Sequence, residues 1–254
     1  MKQTPIFPKV AKEMFWVQLS WTLWFLGIVL VVNIIRVITS INQNTEVDNL
    51  YNSIFIAGTI YMLVIGIIAI TFLPHYVENG VTRKDYFKGT VLAAIGLSIV
   101  IPISTYIIWQ IQLAISKYVV TMNFQEVDFN SIALETEGNI ISDVILSIIF
   151  TPYVDPQEHT LLALFIFSVN LLTYYVLGWL ISVGFYRFNI VIGLAFIITA
   201  LIILICVDTF MRMSLGLPVL YNMINIELLP SALPFFVALL LIISSLFAIR
   251  LLTK

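Results

Sequence analysis

Apolar positions crowd into six stretches of the chain, at about residues 17–39, 53–73, 90–115, 160–183, 190–210 and 233–251. Each reaches or approaches the ~20 residues that a helix needs to cross the hydrocarbon core of a bilayer. The strict apolar–polar alternation of a barrel strand is absent. Helix is the element expected, because backbone facing lipid must satisfy its own hydrogen bonds. The pattern therefore predicts an all-α fold, a polytopic membrane helix bundle with six transmembrane spans forming a single transmembrane domain over 1–254. The first stretch is too long for a removable signal peptide, and no small-x-small cleavage site follows it.

The segments between the spans carry their own patterns. Near the N-terminus Val10, Met14, Val17 and Trp21 recur at helical spacing, while Lys9, Lys12, Glu13, Trp16 and Ser20 form another stripe. Pro5 and Pro8 precede them, so a helix is expected from about Lys9. A basic, aromatic-rich start of this kind predicts an amphipathic N-terminal interfacial helix that turns into the first span. Trp16, Trp21, Trp24 and Trp179 fall at the same expected boundary, as an aromatic belt does. Two outer segments, 116–159 and 211–232, are too long for turns. The first opens with Glu126, Asp128, Glu135 and Glu137, then places Ile140, Ile141, Val144, Ile145 and Ile148 on one helical face. The second holds an apolar stretch between Pro218 and Pro230. Short outer helices are expected in both.

Composition agrees with the pattern. The 254 residues are 61% hydrophobic and 10% charged, with a mean hydropathy of +1.05. A soluble domain carries about 25% charged residues, so a bilayer is the solvent that suits this chain. The single cysteine, Cys206, lies in an apolar run, which excludes a disulfide framework and a cysteine zinc site. Charge divides unevenly between the two sides. Lys2, Lys9, Lys12, Arg83, Lys84, Lys88, Arg187, Arg250 and Lys254 share the side of the termini, against Arg36, Lys117 and Arg212 on the other. Three of the fourteen acids, Glu13, Glu78 and Asp85, join the basic side. By the positive-inside rule both termini are cytoplasmic, in a multi-pass protein of the cell membrane. An acidic exterior can attract cationic molecules; solvation and orientation are the plainer account of it.

One cytoplasmic segment has more structure than a basic turn requires. Asn79-Gly80 is a helix stop, because glycine accepts the left-handed conformation at little cost. Thr82 followed by Asp85 has the spacing of a capping box and starts the next helix. The run Glu78, Asn79, Gly80, Val81, Thr82, Arg83, Lys84, Asp85, Tyr86, Phe87, Lys88, Gly89 resembles the loop between spans two and three of ABC-2 type transporter permeases. The six-span layout, the interfacial N-terminal helix and the outer helical segment before the last span match as well. The resemblance implies that Glu78, Gly80, Thr82, Arg83, Lys84, Asp85, Tyr86 and Phe87 form a coupling helix docked on a separate ABC ATPase subunit. It further implies pairing with a second permease as a homodimer or heterodimer, and ATP-driven export. An amphipathic peptide, a lipid or a drug-like compound is the family-level expectation for the cargo.

The absences fit a transport subunit rather than an enzyme. No Gly-x-x-x-x-Gly-Lys-Ser/Thr loop occurs, and none of the eleven glycines precedes a lysine. Cofactors are therefore expected on the partner ATPase, as ATP and Mg, with none on this chain. His75 and His159 are expected on opposite faces of the membrane, and no serine-hydrolase or zincin motif is present. No basic domain suggests nucleic-acid binding; membrane lipid is the surrounding partner. Inside the spans, Asn170, Thr173 and Tyr174 are candidates for a translocation path, or for ties between helices. Gly178 and Ser182 make a small-xxx-small pair, and Pro102 is expected to bend the third span. Asp208 and Arg212 have the i,i+4 spacing of an ion pair, and Arg36 lies close enough to its span's end to snorkel. The rival reading is a non-transporting membrane immunity or interaction protein. A neighbouring toxin gene would favour that rival, and a neighbouring ATPase gene the permease. An ion-coupled carrier is weakened by the lack of centrally placed ionisable residues.

Overall fold

The computed structural model describes residues 6–43, 47–119, 124–125, 151–217 and 232–253. Among the described residues, seven helices follow one another: α1 (Phe7–Gln43), α2 (Leu50–Ala69), α3 (Phe72–Glu78), α4 (Arg83–Val119), α5 (Thr160–Arg187), α6 (Ile190–Leu215) and α7 (Ala232–Leu252). α2 and α3 together make one span, so the six apolar stretches of the sequence each lie within one of six membrane-length segments. Val47–Asp48 (β1) and Phe124–Gln125 (β2) pair in parallel, joining the α1–α2 connection to the chain beyond α4. The fold is an all-α polytopic bundle. The stretches 126–150 and 218–231, with the acids and the isoleucine face expected there, lie outside the described residues.

α5 is the axis of the bundle and touches α2, α4, α6 and α7. Two thirds of its most apolar window is buried, against 17% of that of α1. Its closest neighbour is α2, and the reason is two glycines. A Cβ on Gly66 would meet the Tyr175 carbonyl oxygen at 2.1 Å, and one on Gly178 would meet the Leu63 carbonyl oxygen at the same distance. Backbones this close leave no room for a side chain, which is how small residues bring helices together in lipid. Gly178 belongs to the small pair seen in the sequence, whereas Ser182 hydrogen-bonds back to Trp179. α4 runs through Pro102 without ending.

The N-terminal segment departs from the expectation. No turn separates an interfacial helix from the first span; α1 is one helix of 37 residues. At 1.5 Å per residue it is about 55 Å long, well beyond a hydrocarbon core of about 30 Å. Between Lys9 and Leu26 no proline or glycine interrupts it. The expected apolar stripe also divides. Val10 and Met14 are buried, but Val17 and Trp21 face outward. The buried row continues instead through Gln18 and Thr22 to Leu26, each four residues on. In a bilayer the outward face can be fully apolar, and it is the polar side chain that needs a partner inside.

Asn49 caps α2 by accepting from the Tyr51 amide at 3.0 Å, and Asn189 caps α6 by accepting from that of Ile192 at 3.1 Å. The break between α2 and α3 at Ile70–Thr71 falls just before Pro74, whose missing N–H and ring prevent a continuous helix there.

Candidate functional site

The elbow between α3 and α4 is built as the sequence reads. Gly80 has φ 81°, the Val81 amide donates to Tyr76 O at 2.9 Å and the Gly80 amide to Val77 O at 3.0 Å. That pair of bonds is a Schellman motif, which closes α3 in a fixed geometry. Asn79 adds a side-chain bond to His75 O at 2.8 Å. One residue further on, the Thr82 hydroxyl accepts from the Asp85 amide at 3.1 Å and donates to the Asp85 carboxylate at 2.7 Å. The N-terminus of α4 is thereby capped and its first turn carries a favourable negative charge. Glu78, Gly80, Thr82, Arg83 and Lys84 are exposed, and Asp85 is half-buried.

Tyr86 and Phe87, the two aromatic residues of the expected coupling helix, turn into the bundle. Tyr86 is fully buried and Phe87 half-buried. The helical period turns these two positions into the bundle while Arg83 and Lys84 face out. The Tyr86 hydroxyl donates to the carbonyl of Ala69. That carbonyl is left over by the α2–α3 break, because the Leu73 amide bonds Ile70 O instead. Phe87 stacks on Trp179 of α5 with centroids 5.5 Å apart, and the Arg250 guanidinium of α7 lies 5.8 Å from its ring. The first turn of α4 is thus joined to α2, α5 and α7.

A buried polar chain next to the elbow was not legible from the sequence. Gln18 donates to the Tyr175 hydroxyl at 3.0 Å, and Thr22 shares a 2.9 Å bond with Tyr61. Tyr61 also stacks on Phe25 at 4.3 Å. The signal available was one glutamine at a position four residues from Met14 and Thr22 within an apolar segment. Further along, Gln112 of α4 donates to Asn33 of α1 at 3.0 Å.

The candidates for a translocation path sit toward the opposite end of the bundle. Asn170, Thr173 and Tyr174 are all buried. Asn170 donates to Pro152 O at 3.0 Å and to the Thr151 hydroxyl at 3.4 Å, while Thr173 bonds back to Val169 O at 2.8 Å. Asn170 therefore ties α5 to the segment that leads into it. In that segment Tyr153 donates to Asn52 of α2 at 2.8 Å. Burial, then the charge of Asp155 and the neighbouring Tyr51, push the Tyr153 hydroxyl above the usual phenol range, which keeps it a donor. Asp208 and Arg212 do pair, with Nε to Oδ2 at 3.0 Å. Their side chains are 4% and 1% exposed, so this is a charge pair held within the bundle. Buried charges of this kind need compensation, which the pair supplies in part.

Among the described residues, six helical segments are long and apolar enough to cross a membrane, and they make this chain a multi-pass membrane protein. No family model, no curated protein and no solved structure matches it.

Proposed function

We propose that this chain is the membrane-spanning permease subunit of an ATP-driven ABC transporter. The observation that carries the reading is the elbow. Its backbone is fixed on both sides by caps, Glu78, Arg83 and Lys84 point outward, and Tyr86 and Phe87 are keyed into three other helices. Such a loop converts a push on its exposed face into movement of the bundle. The resemblance of residues 78–89 to the coupling loop of ABC-2 type permeases names the source of the push, a separate ATPase subunit that holds ATP and Mg. A second permease subunit, identical or related, would complete the path. Export of an amphipathic peptide, lipid or drug-like compound is the activity that follows from the same resemblance.

The distribution of Lys and Arg, nine on the elbow's side against three, supports a cytoplasmic elbow and cytoplasmic termini in the cell membrane. Affinity purification of the chain in mild detergent tests the reading. A stoichiometric ATPase subunit is expected to accompany it. Purification with no nucleotide-hydrolysing partner, repeated after cross-linking in the membrane, would remove the permease reading in favour of a non-transporting protein.

A further inference from the structure

Beside the elbow, α1 and α3 enclose a groove that the coupling role does not use. One cleft, of about 340 Å³, is lined by Lys9, Glu13, His75, Tyr76 and Asn79 among others. A second, of about 510 Å³, is lined by Lys9, Lys12, Glu13, Trp16 and Val17. The two clefts share Lys9 and Glu13, and the second lies beside the first on α1 alone. Together they carry both signs of charge. Lys9 and Lys12 are exposed and make no ion pair among the described residues. Glu13 is also exposed, and a 3.4 Å bond from the Tyr76 hydroxyl holds its carboxylate toward the groove. Lys9 and Glu13 stand one helical turn apart, about 5–6 Å at their Cβ atoms.

Directly below the charges the same side of α1 is apolar and uncovered. Val17, Trp21, Trp24, Ile28, Val31 and Ile35 are all exposed, in two rows that repeat every seven residues. A ligand for the whole feature needs an anion and a cation close together, attached to a long apolar body. A phospholipid with a primary-ammonium headgroup meets each requirement, since its phosphate and ammonium are separated by two carbons. We propose that the groove between α1 and α3 binds such an aminophospholipid. Its phosphate sits against Lys9 and Lys12, its ammonium donates to Glu13, and its acyl chains lie along the exposed rows of α1. Basic pockets at the ends of membrane helices hold anionic headgroups by the first of these contacts; Glu13 adds a selection for the amine. Because His75 and Tyr76 of α3 and its cap residue Asn79 line the first cleft, a bound headgroup there touches both α1 and the elbow. The inference does not rest on the transporter reading.

The full-length protein, purified in mild detergent and stripped of lipid, is titrated with phosphatidylethanolamine, phosphatidylcholine and phosphatidylglycerol of matched chains. Native mass spectrometry counts the bound lipid. Phosphatidylethanolamine is expected to be retained about tenfold more strongly than either other lipid, because only it offers N–H donors and phosphate together. Lys9→Gln with Lys12→Gln should weaken all three lipids while the preference set by Glu13 persists. Glu13→Gln should bring phosphatidylglycerol up to the level of phosphatidylethanolamine. Monodisperse elution and unchanged helical circular dichroism establish that each variant is folded; should the double variant not fold, the Glu13→Gln arm decides. Equal retention of the three lipids by the unaltered protein, or a preference untouched by Glu13→Gln, would overturn the proposal. Efficient competition by soluble phosphoethanolamine would also overturn it, by making the acyl chains irrelevant.

Discussion

At the elbow, Arg83 and Lys84 are exposed while the two aromatic residues that follow Asp85 turn into the bundle. Toward the far end of α6 the arrangement is reversed, and Asp208 and Arg212 are themselves inside, 3.0 Å apart. Both regions place charge near the end of an apolar helix. In the first, solvent carries the charge and aromatic contacts tie the loop to the fold. In the second, the charges compensate each other where water does not reach them. A charge of the first kind is presented to solvent; one of the second kind is enclosed by the fold. Substitutions at the two ends should therefore separate loss of stability from loss of function.

The largest effect is expected from Asp208→Ala, which removes the carboxylate paired with the Arg212 guanidinium inside the bundle. Removing one partner of a buried pair costs about 3–5 kcal/mol, visible as a large drop in the thermal midpoint of the detergent-solubilised protein. Replacing both residues by apolar ones of similar volume should recover most of that loss. If Asp208→Ala were as stable as the unaltered protein, the pair would be no part of what holds this end together. Next comes Tyr86→Phe, which keeps the ring and deletes the hydroxyl that satisfies Ala69 O. An unsatisfied buried carbonyl costs about 1–3 kcal/mol, and hydrogen exchange should quicken locally around residues 69–73 while α5 and α6 stay protected. A smaller change, about 1 kcal/mol, is expected for Asn170→Leu, which removes the donor to Pro152 O. A transport defect far out of proportion to so small a loss would favour a substrate path through Asn170.

The sequence made the spans legible because their signal is length and apolarity, which do not depend on what packs against what. Both caps of the elbow were equally readable, since Asn79-Gly80 and Thr82 with Asp85 act through local backbone geometry. The inward turn of Tyr86 and Phe87 was not. It depends on a carbonyl freed seventeen residues earlier and on Trp179 across the bundle, neither of which local pattern reports. The first helix shows the same limit from the other direction. Its outward face is as apolar as its inward one, so periodicity favoured a stripe containing Val17 and Trp21, and the buried row through Gln18 and Thr22 was missed. Asp208 and Arg212 were correctly paired from their spacing, but their burial depends on neighbours that spacing does not reveal.

Arg83→Glu combined with Lys84→Glu is the smallest perturbation to the fold and the sharpest to the proposed function. Exposed charges away from special features change stability by about 0.5 kcal/mol or less, whereas like charges brought together at an interface cost several kcal/mol. The measurement is nucleotide hydrolysis and subunit association of the complex purified from membranes, beside the abundance of the variant chain. Seven basic residues remain on the elbow's side to hold the orientation. Normal abundance, an unchanged thermal midpoint, lost ATPase association and abolished transport-linked hydrolysis are the predicted result. An intact, active complex carrying both reversals would contradict the account, because the elbow would then be an ordinary turn between two spans.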